Sequence, residues 1–517
     1  MKRIILILLA LVMVMSVFTA CGGSQTSSTP QKTTPKPSEG GSGGDVDQTP
    51  ENEKMNLDLG SIDWEGETVY IYHWAPDAGL AEFGMASDQI NNDAVNDAIY
   101  KRNSYTEDAL GITLDWYEQS KSGYTQVKNF VDKLSARKDD IQTPVDIVAG
   151  QTRCMPYVMI EGLLTDLNTY SDTLDLDKAW WPQDVRELHE IKGNLYFISG
   201  DISANLLRMM TVLFVNKKML ETLGHDYNTL MEQVKANEWT LDELISLTTG
   251  VYQDLDTATA GPSLGDKFGL VTLYFHSDAL YAGLGYKYMI ASNKDNEVFR
   301  LSNQMVTATS ADYVTKLKNW NETNDFHMPY DESYYQKAFA NGDALFVLHR
   351  AWYGFELQKT EVQYAVLPTP ALNNAQGRYY TTIGNQYTSY GICSASLEYD
   401  RAAQTLQTLG FYAKSTTTPA LFEVSFQGKF SKDDYTIEMF NIIRESVTFD
   451  IGRIYDMFIA GNTGEYTKYL LPNIISYPIR NMETYNFNSG ADSTRRVVNG
   501  YIDDANAKLL AFVEVFG

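Results

Sequence analysis

The sequence predicts an α/β protein of two lobes, each a mostly parallel sheet covered by helices. Three observations carry that prediction. Runs rich in β-branched and aromatic residues alternate with stretches of roughly 10–15 residues of helical periodicity, the pattern of βαβ units. A second series of the same kind opens near residue 207. The chain beyond residue 56, about 460 residues long, exceeds the roughly 250–300 residues at which one hydrophobic core stops growing.

In chain order, residues 1–20 read as a secretory signal: Lys2 and Arg3, then a largely apolar run, with small residues just before Cys21. The run is slightly short for a membrane span and lacks a basic flank that would stop transfer. Residues 21–56 are rich in Ser, Thr, Pro and Gly and have no apolar periodicity. Such a segment cannot bury enough surface to offset its ordering entropy, so a disordered tether is expected.

The first series then begins. TVYIYHW (68–74) reads as a strand ending on Trp74, residues 88–110 as an amphipathic helix, and ITLDWYEQ (112–119) as the next strand. A helix through 127–134 leads to VDIVAG (145–150), a short buried run between Pro144 and Gly150. Strands of this kind make a sheet covered on both faces. Ligands sit beyond the carboxyl ends of such strands, which would place Trp74, Asp77, Gln151 and Arg153 there.

The second series opens with LRMMTVLFVN (207–216), a long apolar strand leading to a helix at 217–223. Thr240 and Glu243 form a capping box that starts a helix. FGLVTLYF (268–275), ALFVL (344–348) and YAVLP (364–368) read as further buried strands, and beyond Asp400 the text is mostly helical. ALFVL stops abruptly on His349, Arg350 and Trp352. None of the three belongs in a core, so this tip either surfaces or faces a cleft.

Composition narrows the function. A net charge of −25 argues against nucleic acid and against a stable contact with anionic lipid. Cys154 and Cys393, far apart in apolar surroundings, are expected as two buried thiols. The six histidines are scattered, without metal-ligand spacing, and Asp172, Asp175 and Asp177 lack the Gly and Glu of a calcium loop. No phosphate-binding loop of the GxxxxGK[ST] type exists, so nucleotide hydrolysis would fall to a partner. No cofactor is expected. Trp180 and Trp181, before Pro182, read as packing under a connection.

Several segments, in a shared order, resemble one family. VDIVAG followed by EGLLTDL (161–167), NLYFISGDI and LFVNKKMLETLG (194–224), EWTLDEL (238–244), and FANGDALFVLHRAW followed by YAVLPTP (339–370) are similar to segments of the extracellular solute-binding proteins that feed bacterial ABC importers. The likeness is to the sugar-binding type that includes maltose-binding protein. The Phe18–Cys21 junction likewise resembles a lipobox, which implies diacylation of Cys21 and a body tethered to the extracellular face of the membrane.

The resemblance implies a type II periplasmic-binding-protein-like fold, each lobe a mixed, mostly parallel sheet covered by helices with a hinge between the lobes, and places residues 57–208 and 388–430 in lobe 1 and residues 209–387 and 431–517 in lobe 2, the latter enlarged by C-terminal helices. It implies a carbohydrate ligand, membrane permease subunits with a separate ATPase as partners, and a monomer. Carried over by position, Trp352 would stack on a sugar ring. Trp74, Asp77, Gln151 and Arg153 would line one side of the cleft, and Tyr281, Arg350, Phe449 and Arg453 the other. Gly150 stands where maltose binders carry a Trp, and His349-Arg350 replaces a frequent Asn-Gly, so maltose is not the expected cargo. A surface-anchored glycoside hydrolase using two of the 66 acidic residues, or a peptide or other solute binder on the same scaffold, remains as an alternative.

Overall fold

A computed structural model of the chain describes residues 56–60, 62–76, 81–85, 93–119, 127–138, 144–182, 184, 190–256, 258–259, 261–329, 331–427, 434–461 and 470–517. The expected signal, the lipid-acceptor Cys21, nearly all of the tether and Asp77 lie outside these residues. Among the described residues, no helix is long and apolar enough to cross a membrane.

In chain order the strands are β1 (Glu67–Trp74), β2 (Ile112–Gln119), β3 (Ile147–Gln151), β4 (Thr211–Asn216), β5 (Phe268–Val271), β6 (Met289–Ala291), β7 (Phe299–Leu301), β8 (Phe326–His327), β9 (Ala344–Arg350), β10 (Tyr364–Leu367), β11 (Thr381–Thr382), β12 (Thr388–Ile392) and β13 (Val447–Thr448). They form two main sheets, ordered β12-β3-β1-β2 and β10-β4-β9-β5-β8, with two small pairs, β6-β7 and β11-β13.

In the first sheet β1 lies parallel to both β2 and β3, and β12 closes the edge antiparallel to β3. Strand β1 is paired on both sides, which explains why its second half is wholly buried. The helix Ala94–Leu110 that follows β1 is bounded as its sequence dictates. The carboxylate of Asp93 accepts from the backbone N–H of Val95 at 3.0 Å, and Gly111 ends the helix with φ of 62°. The helix Val127–Arg137 packs Phe130 on Tyr72, ring centroids 4.8 Å apart, and the Tyr72 hydroxyl donates to the Phe130 carbonyl at 2.9 Å.

The second sheet is centred on β4, β9 and β5. Strand β9 is antiparallel to β4 and parallel to β5, and all seven of its residues are buried. Gly342, at φ of 82°, makes the turn that launches it. Thr240 caps its helix as read, accepting from the Glu243 N–H at 3.2 Å. One expected strand is shorter than its text suggests. Only Phe268–Val271 of 268–275 is in the sheet, and Tyr274–His276 turns into a 3-10 helix. The strand β8 beside it offers just two residues to pair with, and the Thr272 hydroxyl donates to the Leu348 carbonyl at 2.7 Å, where the chain leaves the ladder.

Two segments pass between the sheets side by side. They are joined by bridges of Ile198 with Tyr390 and Met210 with Ile383, and the Gly384 N–H donates to the Met209 carbonyl at 2.8 Å. The C-terminal helix Ser493–Phe516 touches elements around both. Phe512 packs on Tyr196 at 5.0 Å, while the Asn506 amide accepts from Val298 and Phe299 at 2.9 and 2.8 Å. Cys154 and Cys393 are free and buried. Trp180 and Trp181 are core residues that share Gln407 Oε1 as acceptor.

Candidate functional site

Three chain segments that leave strands at their carboxyl ends meet at one cavity of about 460 Å³. From β3 comes the turn Thr152–Cys154, which carries Arg153. From β5 comes Tyr274–His276 and then Asp278, at the start of the helix Asp278–Gly283. From β9 come His349, Arg350 and Trp352. The connection containing Gly384 and Asn385 lines the cavity beside them, as does Arg453 from the short helix Ile451–Ile454. A site assembled at strand ends from both sheets is where this class of α/β architecture binds ligands.

Guanidinium groups dominate the electrostatics. Arg153 pairs with Asp456, and both side chains are almost fully buried. Arg453 pairs with Asp278, also buried, and its Nη2 donates to the Ile383 carbonyl at 3.1 Å. Turned so that its oxygen faces Arg153, the Asn385 amide accepts from that guanidinium at 2.7 and 3.2 Å. Such pairs are costly to desolvate and are strongly destabilised when one partner is removed. Burial pushes the Asp456 carboxyl above its ordinary range, against the pull of Arg153 and Arg453. Burial lowers Arg453 to about 10, and the neighbouring charge of Arg153 adds to that.

The third guanidinium is held differently. Arg350 Nη1 donates to the Thr211 hydroxyl at 2.6 Å, across the β4–β9 ladder. A Cβ at position 384 would come within 2.7 Å of Arg350 Cζ, so Gly384 is what lets the guanidinium lie against the connection between the sheets. Glu332, at the start of the helix Glu332–Ala340, also lines the cavity, with a half-exposed side chain.

Aromatic rings make the remaining walls. Trp352 is partly buried and stands edge-on to the His349 ring, centroids 4.9 Å apart, while Tyr353 stacks on that imidazole at 4.5 Å. Phe275 is 38% exposed and meets Tyr274 edge-on at 5.3 Å. Burial lowers His349 to about 3 and drives His276 well below its usual value, so both imidazoles are neutral at neutral pH. The cavity therefore offers ring faces and three guanidinium groups.

Of the residues singled out from sequence, the cavity brings together Arg153, Arg350, Trp352 and Arg453. Asp77 is outside the described residues, and the others lie elsewhere. Trp74 is buried, with its indole N–H donating to the Thr388 hydroxyl at 2.8 Å. Gln151 is buried within β3 beside Cys154. Tyr281 sits wholly in the core, bonded to the Ser310 hydroxyl at 3.0 Å and packed on Tyr288 at 5.0 Å. Phe449 lines a much smaller adjoining cavity together with Asp450 and Arg453. The sequence reading did not single out Tyr274, Phe275, Asp278, Glu332, Asn385 or Asp456. A signal for Asp278 was present: YFHSD follows a buried run just as HRAW does.

Among the described residues, no group of three or more His, Cys, Asp and Glu side chains is placed to hold a metal ion. The two buried carboxylates at the site are each engaged by a guanidinium.

The profile of the family described as bacterial extracellular solute-binding protein matches residues 86–392. Among solved structures, the chain is similar to the sugar-binding protein MalE from Xanthomonas citri, at 13% identity and a TM-score of 0.54, covering 87% of this chain and 99% of that one. It is also similar to a sugar transporter protein from Rhizobium etli in an open conformation, at 12% identity and a TM-score of 0.51, covering 87% of this chain and 100% of that one. These likenesses establish the fold. No curated protein matches the sequence.

Proposed function

Because the chain belongs to the bacterial extracellular solute-binding protein family, we propose that it captures a saccharide between its two lobes and presents it to an ABC permease. The observation that carries the saccharide reading is the pairing of an indole face with fixed donors at one cavity, Trp352 beside Arg350, Arg153 and Arg453. A pyranose has an apolar C–H face and a polar rim. An aromatic plane covers the first, and guanidinium donors satisfy the second through charge-assisted hydrogen bonds. The solved relatives that are named as sugar-binding or sugar-transporting point the same way.

Closure follows from the layout. Arg153 approaches from the first sheet, and Arg350 and Trp352 from the second, so a ligand that touches both stabilises the closed arrangement; the paired connections near Met209 and Gly384 serve as the hinge. The lobe boundaries are those read from the sequence, the receptor acts as a monomer, and Cys21 anchors it through lipid. A permease with its own ATPase then recognises the closed form.

Calorimetry against a panel of neutral and acidic oligosaccharides tests the reading, with Trp352→Ala as the control. Binding of at least one saccharide, weakened roughly tenfold by the substitution, is expected for loss of a stacking platform. Unchanged affinity in the variant would remove Trp352 from the site. Absence of binding across the panel would remove the saccharide.

A further inference from the structure

Resting on the saccharide reading above, we propose that the ligand carries one acidic group, a carboxylate or a phosphate, and that Arg350 is its anchor. In a chain of net charge −25, the cavity concentrates guanidinium groups. It gathers three guanidiniums, and the chain supplies buried carboxylates to two of them: Asp456 to Arg153 and Asp278 to Arg453. Arg350 has no such partner among the described residues. It is 7% exposed, its one side-chain bond among the described residues is to the neutral Thr211 hydroxyl at 2.6 Å, and it lines the cavity.

A buried cation without a counter-charge is unfavourable, and proteins pair such groups or bring them an ion. The nearby Glu332 does not settle the balance, since its side chain is 52% exposed to water. Burial and the charge of Arg153 lower Arg350 to about 10, which leaves it cationic at neutral pH. A planar guanidinium with two parallel N–H donors matches a carboxylate or phosphate in a bidentate fork, a geometry that lysine cannot reproduce. Beside it, Trp352 and Phe275 supply ring faces for the sugar that bears the acid. The recognised molecule is thus a saccharide acidic at one end, of the uronic or sugar-phosphate class.

The test titrates the full chain with matched disaccharides: cellobiose, its counterpart with a terminal uronic acid, and its 6-phosphate. The acidic member is expected to bind at least about tenfold tighter than the neutral one, the typical weight of a charge-assisted bond. Arg350→Gln should abolish that margin, weakening the acidic sugar at least about tenfold more than the neutral one, and Arg350→Lys should restore part of it. Trp352→Ala should lower both affinities alike. Whichever of the carboxylate and phosphate arms binds tighter identifies the anion. Equal affinity for acidic and neutral sugars, or an equal loss of both in Arg350→Gln, overturns the proposal and leaves the saccharide reading standing. Failure of every sugar to bind overturns both. If Arg350→Gln does not fold, the wild-type chain decides. Raising salt should weaken the acidic sugar and spare the neutral one, and an equal response overturns the proposal.

Discussion

Strands β1 and β9 end alike in sequence and unlike in space. Each buried run closes on a histidine followed by a tryptophan, His73-Trp74 in one and His349 with Trp352 in the other. At both tips the imidazole is buried against its own backbone. His73 Nδ1 lies 2.8 Å from the Trp74 carbonyl, and the Arg350 N–H donates to His349 Nδ1 at 2.7 Å. Beyond that the tips diverge. Phe83 packs tilted against His73 at 4.1 Å, and the buried Glu82 engages Thr388, the acceptor of the Trp74 indole N–H. At β9 the chain turns instead into the helix Tyr353–Leu357, and Trp352 keeps a face on the cavity. A strand tip becomes a site or a core according to what folds back over it.

Removing each tryptophan gives the sharpest contrast. Trp74→Ala should cost about 3–5 kcal/mol of stability, as large-to-small changes do in a packed core, and it also strips the Thr388 hydroxyl of a donor. Urea unfolding measures the loss. A cost under roughly 1 kcal/mol would mean that the β1 tip is open in solution and that the two tips do not differ. Next in size come the histidines, where the tips should agree. Burial lowers His73 to about 4 and His349 to about 3. A base depressed in the folded state contributes stability that is present above its unfolded value near 6.5 and lost as pH falls through it. Between pH 7 and pH 5 each imidazole should therefore account for about 2 kcal/mol of lost stability. His73→Gln and His349→Gln should each flatten the pH profile by that amount. Asp450, raised by burial to about 6, works in the opposite sense: its contribution is present below about 3.8 and lost as pH rises through 6. The comparison is accordingly read as wild type against each variant at the same two pH values.

Much of the architecture was legible because local signals were strong and consistent. The Thr240 cap and the apolar run of β9 each follow from nearest neighbours in sequence. The cavity was legible only where a resemblance supplied spacing, as at Trp352, or where a charged residue followed a buried strand, as at Arg153 and Arg350. Trp74 satisfied the same local rule and is nonetheless core, because its cover comes from Thr388, 314 residues away. Asp456 escaped notice for the same reason. Its partner Arg153 is 303 residues distant, and nothing near it in the text distinguishes it from any other acidic residue. Tyr281 was placed by position in a relative, but three further tyrosines close around it, Tyr286, Tyr288 and Tyr313, and convert a wall into a core.

The smaller effects refine the β9 tip itself. Trp352→Ala should leave stability within about 1 kcal/mol of wild type while saccharide affinity falls roughly tenfold; a stability loss matching that of Trp74→Ala would make it a second core residue. Glu332 gives the least effect and the finest distinction. Its half-exposed carboxylate opposes Arg350 across the cavity rim, so it competes with an acidic ligand for the same charge. Glu332→Gln should tighten an acidic sugar by about two- to fivefold, a gain of under roughly 1 kcal/mol that shrinks as salt is added. Neutral sugars should be indifferent to it. If the substitution instead weakens the acidic and neutral members equally, Glu332 accepts from a sugar hydroxyl, and the rim carboxylate is part of the recognition surface rather than a competitor for Arg350.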